Sequence, residues 1–337
     1  MTWTELDWKT LDRLRERFLA PAGLAGPYWE KPDDLAYYDF TYAERIGWKW
    51  DHVLRELRLR GWRPASRTVF DWGCGSGIAA RRVISFFGAE NFDALTVWDH
   101  SPLACDYAAT RARLDFPALH ASQATPGWLT SSEPIGLLVI SHVLNELPPA
   151  ALQQLLQLME RAEAVLWVEP GTHVVSRQLG QHRDALRVRF QIVAPCTHQL
   201  GCPVFAEGNE RDWCHFFAPP PPEIFADSNW VKFGQRAGID LRSLPYAFIA
   251  LQTRAADAAP DATSAPTLSR IIGRPEHFKP YARFLNCDAS GLKELQLPKR
   301  ADPALFKQLE RTKAPLVYRW HRDGETVTGG EALSDSV

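Results

Sequence analysis

The chain has 337 residues, of which 45% are hydrophobic, and a formal net charge of −2 at pH 7. This length and composition predict one large domain with a sizeable core and an appended segment. The near-neutral charge gives no global basic field, so any contact with nucleic acid would need a local basic patch. The first residues include early acids and no apolar stretch typical of a signal peptide, and no run of about 18 apolar residues occurs. The sequence therefore predicts a cytoplasmic protein with no membrane association. We expect a monomer.

Residues 1–62 are predicted to form an N-terminal helical cap. Apolar residues recur at helical spacing over about 3–20 and again over about 42–59. A loop that contains proline and glycine, 21–32, separates the two predicted helices. A substrate-positioning role for this cap is the alternative to a purely structural one.

A glycine-rich loop follows the first predicted strand, which begins at Thr68. Asp71 precedes glycines at 73, 75 and 77, and a predicted helix follows. Glycine can adopt positive φ and lets a ligand approach the backbone, and the first N–H groups of a helix point into the same space. The spacing resembles the first motif of class I S-adenosylmethionine (SAM) methyltransferases, so we expect Asp71, Gly73, Gly75 and Gly77 to bind SAM, with Asp71 facing the methionyl amino group. A glycine-rich turn without a ligand is the alternative.

The second predicted strand, 94–99, ends in an acidic residue. Asp99 follows the last glycine by roughly 20 residues, the interval at which doubly wound folds place the carboxylate that binds ribose hydroxyls. We therefore expect Asp99 to bind the SAM ribose. The alternative is an N-cap for the helix that begins near Pro102.

Polar residues follow the third and fourth predicted strands, 118–120 and 135–140. Ligands of parallel sheets bind at the carboxyl ends of the strands, so these residues are further candidates for SAM binding. The candidates are Ser122 and Gln123 at the adenine edge, and Ser141, His142 and Asn145 after the fourth strand. Capping and turn chemistry is the alternative for the last three.

Strands and helices alternate five times between 68 and 169, which predicts a parallel sheet with right-handed crossovers. We predict an α/β class I SAM-methyltransferase (Rossmann-like) fold over residues 63–275, with a mostly parallel seven-stranded sheet. Two later strands, 246–251 and 268–272, are expected to form the antiparallel hairpin that closes this sheet. Residues 141–147 contain neither an Asn/Asp-Pro-Pro-aromatic motif nor a cysteine nucleophile, so no catalytic residue is assigned.

A predicted helix over 174–189 carries four arginines, at positions 177, 183, 187 and 189. Such a cluster can contact phosphate groups. A solvated helix face is the interpretation that the pattern favours.

An inserted segment, 191–217, interrupts the alternation and contains three of the six cysteines. With a later fourth cysteine, these thiolates can form a tetrahedral zinc site or hold an iron–sulfur cluster. The five residues between the first two cysteines exceed the two to four that are usual in zinc sites, and unrelated buried thiols are a further alternative. The candidate ligands are Cys196, Cys202, Cys214 and Cys287, with His198 and His215 as alternatives to Cys287.

Three segments, 168–172, 194–203 and 212–216, resemble the mitochondrial-type small-ribosomal-subunit methyltransferase-like family, which also has bacterial members. The resemblance extends over about 68–292 and is most specific in the cysteine segments. It implies a bacterial member of a family of SAM-binding ribosome assembly factors in which the four cysteines hold a [4Fe–4S] cluster. Where the family often carries a basic stretch, this chain has Ala218–Pro222.

Three functions remain open at this point. The first is a SAM-binding, [4Fe–4S]-containing methyltransferase-like protein that acts on small-subunit rRNA during ribosome assembly. The second is a non-catalytic assembly factor in which SAM and the cluster are structural. The third is a methyltransferase for a small molecule or a protein, stabilised by Zn²⁺.

The last part of the chain is predicted to be a basic extension, 276–323, with a disordered tail over 324–337 and a mobile loop over 255–266. The extension is the best candidate in the sequence for RNA contact, and a solvated helix followed by a strand is the alternative. Its positive residues include Lys293, Lys299, Arg300, Lys307, Arg311, Lys313, Arg319 and Arg322, with the aromatic residues Phe306, Tyr318 and Trp320 between them.

Overall fold

The structure is a computed structural model that describes residues 1–19, 28–254, 268–311 and 315–334. The predicted mobile loop over 255–266 and Lys313 lie outside the described residues. The helices are α1 (Trp8–Leu19), α2 (Pro32–Tyr38), α3 (Glu44–Leu59), α4 (Ile78–Phe87), α5 (Pro102–Asp115), α6 (Pro126–Leu129), α7 (Pro149–Met159), α8 (His173–Leu186), α9 (Glu223–Ala226), α10 (Ser228–Ala237) and α11 (Pro303–Leu309). The strands are β1 (Thr68–Trp72), β2 (Ala94–Trp98), β3 (His120–Gln123), β4 (Ile135–Ser141), β5 (Ala162–Pro170), β6 (Phe190–Ala194), β7 (Phe216–Ala218), β8 (Leu244–Thr253), β9 (Ser269–His277), β10 (Tyr281–Asp288), β11 (Gly291–Pro298), β12 (Val317–Asp323) and β13 (Thr326–Ala332).

The chain divides into two compact units. The first comprises Met1–Leu54, Arg63–Val168 and Pro220–Leu244. The second comprises Arg55–Trp62, Glu169–Pro219 and Pro245–Val337. Within the described residues, none of the helices combines the length and the apolar composition needed to span a bilayer.

The first unit contains five parallel strands in the order β3-β2-β1-β4-β5. This order and the intervening helices confirm the parallel α/β part of the predicted fold. The residues of β4 from Ile135 to Ile140 are all buried, because a central parallel strand has helices on both faces. Trp72 pairs with Trp98 and Ile140, so β1, β2 and β4 end at the same edge of the sheet.

The N-terminal helices pack against this sheet domain through apolar residues. Leu14 of α1, Trp29 and Leu35 form a buried cluster with Ala104 of α5. The second predicted helix begins at Glu44 rather than near residue 42, because a single π-helical turn, Asp39–Ala43, precedes it.

The third strand lies two to three residues later than predicted. The sequence placed it at 118–120, whereas β3 covers His120–Gln123. Ser122 and Gln123 are therefore strand residues that pair with β2, and they do not follow the strand.

Three further strands belong to the second unit. β6 and β8 are antiparallel, with Phe190 opposite Thr253, and β7 also pairs with β8. Together with the five parallel strands, the described residues contain eight strands in the α/β part, one more than predicted. Relative to the prediction, β6 and β7 are both additional, and the strand predicted at 268–272 is not part of this group; β7 has only three residues and lies within the cysteine segment.

The remaining strands of the second unit form a closed barrel in the order β10-β11-β13-β12-β9. Two predictions are corrected here. The strand predicted at 268–272 does not form a hairpin with β8, because β9 continues to His277 and pairs with β10 and β12. The tail predicted to be disordered over 324–337 contains β13, whose Val327 is fully buried in the barrel core; residues 335–337 lie outside the described residues.

Truncation of the chain after Glu325 tests the role of β13. Because β13 pairs with both β11 and β12 and buries Val327, we expect this truncation to lower the free energy of unfolding of the second unit by more than about 3 kcal/mol. Urea unfolding with limited proteolysis of the barrel would measure the loss. Truncation after Ser334 is the control, and equal stability of the two variants would restore the prediction of a disordered tail.

Candidate functional site

A glycine-rich loop forms one wall of a cavity in the first unit. Gly73, Gly75 and Gly77 have φ values of 70°, 51° and 76°, which disfavour residues with a Cβ. A Cβ at Gly73 would lie 2.7 Å from a side-chain carbon of Val143, and one at Gly77 would lie 2.9 Å from the Cβ of Ala108. A Cβ at Gly75 would meet no atom within 4 Å in the described part of the chain, so the backbone of Gly75 is open to a ligand.

The cavity has a volume of about 450 Å³, which is in the range of small-molecule and cofactor sites. Six aromatic side chains surround it, and the rings of Trp72 and Trp98 stack with centroids 5.0 Å apart. Of the predicted residues, those that line it are Gly73, Gly75, Asp99, Ser141, His142 and Asn145. The aromatic lining residues are Phe18, Tyr28, Trp29, Tyr38, Trp72 and Trp98.

Asp99 lies at the end of β2, where the sequence predicted it, and is fixed by the backbone. Its Oδ2 accepts the N–H of Gly75 at 3.0 Å, and its Oδ1 accepts the N–H of Ser101 at 2.9 Å. The N-cap of α5 is Ser101 rather than Asp99. His100 Nδ1 also lies 3.2 Å from Oδ1, and both Asp99 and His100 line the cavity.

Asp71 is completely buried and does not line the cavity. Neither of its carboxylate oxygens has a hydrogen-bond partner among the described residues. Burial raises the pKa of Asp71 to about 7; the backbone N–H of Ala80 lowers the pKa in part but is not in hydrogen-bonding geometry. Asp71 is thus a buried carboxyl group whose charge a nearby cation would stabilise.

A hydrogen-bonded chain of four residues lies at the carboxyl end of β4. The buried Lys49 and the imidazole Nε2 of His142 are 3.0 Å apart, and His142 Nδ1 is 3.3 Å from the hydroxyl of Ser141. Trp50 donates its indole N–H to the same hydroxyl at 2.9 Å. Burial and the charge of Lys49 hold the pKa of His142 well below its usual range, so the ring is neutral.

The number of donors defines the direction of the hydrogen bonds among these four residues. If Lys49 is an ammonium, it donates to Nε2, and the neutral ring then carries its proton on Nδ1 and donates to Ser141. Ser141 accepts this bond and the one from Trp50, so its own O–H can donate into the cavity. The left-handed backbone of His142, with φ of 56°, is a strained conformation of the kind found at functional sites.

A second carboxyl group of the cavity is Glu146, which the sequence interpretation did not single out. Burial raises its pKa, and a hydrogen bond from Tyr28 lowers it in part. Lys49, Trp50 and Glu146 were missed because their helix or loop positions carry no recognisable motif.

Ser122 and Gln123 do not belong to the cavity lining. Both lie within β3, and the side-chain amide of Gln123 donates to Asp106 on α5. Their predicted adenine contact therefore lacks the support that the cavity gives to Asp99.

Arginines of α8 hold the cysteine segment of the second unit. Arg183 is 1% exposed and donates to the carbonyl oxygens of His198 and Leu200. Arg177 donates to three carbonyl oxygens of the segment, including that of Asp212 at 2.8 Å. The interpretation of this cluster as a solvated helix face is therefore wrong for these two arginines, because the irregular segment needs donors for its buried carbonyls.

Two further arginines form a buried network with Glu56. Arg60 and Arg270 both donate to its carboxylate, and Arg270 also lies over the ring of Phe216 at 3.8 Å. Arg60 donates in addition to three carbonyl oxygens of the cysteine segment, one of them that of Cys196. This network fixes the backbone around the first cysteine.

The structure brings the four predicted cysteines within electrostatic reach of one another. Burial and then the neighbouring thiols raise the pKa of Cys202 to about 12, and they raise the pKa of Cys214 and Cys287 as well. Arg183 lowers the pKa of Cys202 and Cys287 in part. A nearby positive charge would therefore favour the ionised form of these thiols. Cys196, Cys202, Cys214 and Cys287 are called here the cysteine cluster.

The two histidines that the sequence offers as alternative ligands, His198 and His215, lie in the cysteine segment. No group of three or more His, Cys, Asp or Glu side chains in the described ranges is placed to hold a single ion. His198 lies beside the cysteines, with its Nε2 3.9 Å from the sulfur of Cys287, and burial lowers its pKa to about 4. His215 is hydrogen-bonded to the carbonyl oxygen of Trp213 and stacks on that ring.

A family model described as mitochondrial small ribosomal subunit Rsm22 matches residues 51–238, more than half of the chain. A comparison with curated proteins gave no match.

Several solved structures share a limited likeness with the chain. A proposed RNA methyltransferase from Pyrococcus horikoshii is 9% identical, with 61% of this chain and 84% of that chain covered and a TM-score of 0.39. The SAM-bound magnesium protoporphyrin IX methyltransferase of Synechocystis is 12% identical, with 73% of this chain and 92% of that chain covered and a TM-score of 0.36. The ribosomal protein L11 methylase of Lactobacillus delbrueckii subsp. bulgaricus is 21% identical, with 41% of this chain and 68% of that chain covered and a TM-score of 0.30. With TM-scores below 0.5 these likenesses carry no argument, and the fold assignment depends on the strand order itself.

The raised pKa of Asp71 predicts a pH-dependent contribution to stability. The folded protein holds this proton up to about pH 7, whereas an unfolded Asp releases it near pH 4. The contribution is therefore fully present below about pH 4 and is lost as the pH rises to about 7, with a total of about 4 kcal/mol.

We expect the difference in unfolding free energy between Asp71→Asn and the wild type to shift in favour of the variant between pH 4 and pH 8. Urea unfolding at several pH values would measure this difference, and Asp93→Asn, which changes a 64% exposed carboxylate, is the control. A difference that does not vary with pH would contradict the raised pKa.

Proposed function

The chain belongs to the mitochondrial small ribosomal subunit Rsm22 family, and from this membership we propose that it is a SAM-binding, methyltransferase-like protein that acts on small-subunit rRNA. The observation that carries the proposal is the cavity beside the glycine loop, where Asp99 is held by the N–H of Gly75 at the carboxyl end of the parallel strands. A family relation alone would not assign an activity, so the proposed activity depends on what these residues can bind.

The residues of the cavity fit the parts of SAM. Asp99 can accept hydrogen bonds from two ribose hydroxyls, and the open backbone of Gly75 allows close approach of the ligand. The stacked rings of Trp72 and Trp98 offer flat apolar surface next to the loop. Asp71 contributes a negative charge from beneath the loop, which would favour the methionyl ammonium electrostatically rather than by direct contact. Our proposal gives Ser122 and Gln123 no direct contact with SAM, because neither lines the cavity.

The residues at the carboxyl end of β4 are suited to bind the methyl acceptor. SAM supplies an electrophilic methyl group when bound, and the protein then has to orient the acceptor in line with it. The Ser141 hydroxyl can donate to a polar atom in the cavity, while His142 is occupied by Lys49 and supports Ser141 rather than acting as a base. The aromatic residues of the N-terminal segment, Phe18, Tyr28, Trp29 and Tyr38, line this space and offer surface for a planar acceptor such as a base.

We further propose that Cys196, Cys202, Cys214 and Cys287 hold a [4Fe–4S] cluster. A zinc site would require all four sulfurs at about 2.3 Å from one ion. A cluster distributes its four ligands over four iron atoms, so the sulfurs can lie farther apart. The buried Arg183 and Arg270 near the thiols suit an anionic cluster, since each lowers the pKa of the cysteines that it faces.

Asp99→Asn tests SAM binding. Because the variant loses a charge-assisted bond to each ribose hydroxyl, we expect the Kd for SAM to rise roughly 10- to 100-fold, measured by isothermal titration calorimetry. Methyl transfer from labelled SAM to purified small-subunit rRNA should fall in parallel. Asp93→Asn, at the opposite end of the same strand, is the matched control.

The outcomes separate the candidate functions. Binding of SAM without transfer to any small-subunit rRNA would favour a non-catalytic assembly factor. An unchanged Kd in Asp99→Asn would contradict the assignment of the cavity as the SAM site.

Anaerobic purification tests the metal centre. We expect a broad absorption band at about 400 nm and about four iron atoms per chain, with both lost in Cys202→Ser. Cys105→Ser, which changes a buried cysteine of the first unit, is the matched control. One zinc per chain and no colour would overturn the cluster and favour a zinc-stabilised methyltransferase.

A further inference from the structure

The barrel of the second unit has a recognisable chain path. β9, β10 and β11 form a meander, α11 follows, and β12 and β13 complete the barrel. β9 closes onto β12 in antiparallel fashion, and β11 pairs with β13 in parallel. Five strands in the closed order 1-2-3-5-4, with a helix between the third and fourth, form the OB-fold arrangement. A fold alone does not assign a ligand, but the side chains of this barrel do carry binding chemistry.

The turn between the first two barrel strands presents an exposed aromatic stack. Phe278 is 40% exposed, and its ring stacks on that of Tyr281 with centroids 4.8 Å apart and an interplanar angle of 26°. The guanidinium of Arg283 lies 5.4 Å from the centre of the Phe278 ring. The acids Glu276 and Glu294 bind Arg283 and hold it beside the ring. The stack leaves Phe278 partly open to solvent, where it can take another planar group.

Positive side chains surround the same turn. Lys279 lies in this turn and is exposed. The backbone N–H of Lys299 donates to the carbonyl oxygen of Pro280 at 2.8 Å, and this bond joins the end of β11 to the turn. Arg300 is exposed next to Lys299. Lys279, Lys299 and Arg300 form no ion pair with any described residue, so their charges are available to a polyanion. In OB folds this turn and the face of the second and third strands bind oligonucleotides.

We propose that Phe278, Lys279, Tyr281, Arg283, Lys299 and Arg300, called here the barrel turn surface, bind single-stranded RNA. The aromatic stack accepts an unpaired base and the lysines contact the flanking phosphates. A duplex would offer phosphates but no accessible base face. The inference rests on the proposed function, because small-subunit rRNA supplies the RNA, and it adds a binding site separate from the SAM cavity.

The barrel turn surface is also distinct from the cysteine cluster. Both lie on β10, with Tyr281 at its start and Cys287 near its end. At about 3.4 Å per residue the two positions are roughly 20 Å apart. Substitutions in the turn therefore leave the cysteines in place.

The test uses the full chain and a fluorescently labelled oligouridine of about 12 nucleotides, with fluorescence anisotropy as readout. We expect Phe278→Ala to weaken binding about 5- to 100-fold, as loss of one base stack does. Phe225→Ala removes an exposed ring that is 68% accessible in the first unit and should change nothing. A double-stranded RNA of equal length should bind more weakly than the oligouridine and be insensitive to Phe278→Ala.

A charge variant keeps the test decisive even if Phe278→Ala perturbs folding. Lys279→Ala with Lys299→Ala should reduce the slope of log K against log salt by about 1.4, the value for two single-strand phosphate contacts, whereas Lys9→Ala with Lys232→Ala should not. Equal RNA affinity for wild type, Phe278→Ala and the double-lysine variant would overturn the proposal, as would absence of binding by the wild type or capture of a protein instead of RNA at this surface.

The experiment distinguishes this proposal from the proposed function. Asp99→Asn should lose SAM affinity and keep oligouridine affinity, while Phe278→Ala should do the reverse. Binding of RNA through Phe278 without any SAM binding would overturn only the SAM assignment. SAM-dependent transfer with RNA affinity independent of Phe278 would overturn only the barrel turn surface.

Discussion

The alignment of strand ends in the parallel sheet is the constraint on which the candidate site depends. Trp72 pairs with Trp98 and Ile140, so three strands finish at one edge. The chain must turn there in each case, and it delivers the glycine loop, Asp99 and Ser141 to a common space. Side chains on loops after parallel strands converge in this way regardless of their separation in sequence. The cavity is therefore a consequence of the register, and its chemistry follows from the residues at the strand ends.

A different constraint shapes the cysteine segment, which has little regular structure. A backbone without ladder partners leaves carbonyl oxygens that must find donors when they are buried. Arg60, Arg177 and Arg183 supply these donors, and each reaches several carbonyls of the segment. Burying arginine is costly unless its hydrogen bonds are satisfied. Here one set of contacts satisfies both the guanidinium groups and the segment, and it leaves positive charge beside the thiols.

The sequence allowed prediction of features that arise from local pattern, whereas nonlocal pairing escaped it. The spacing of apolar residues and the turn residues between them predicted β1, β2 and β4. The same pattern placed the polar residues at the ends of these strands. The apolar run at 268–272 was recognised as a strand, but its partners are determined by β10 and β12, which no local pattern reveals. β13, with two adjacent glycines, has low strand propensity and is ordered by the barrel around Val327. Lys49 was missed because its partner His142 is distant in sequence.

The barrel links the cysteine residues to nonlocal strand pairing, because it determines where the fourth cysteine lies. Cys287 sits between Asn286, which accepts the indole N–H of Trp320, and Asp288, which accepts the hydroxyl of Ser269. These buried hydrogen bonds join β10 to β12 and β9, so the strand cannot shift by one residue without breaking both. Closure of the long loop between the cysteine segment and Cys287 costs little more than closure of a short one. The completeness of the cysteine cluster therefore depends on folding of the barrel, and metal loading should report on barrel integrity as well as on the cysteines themselves.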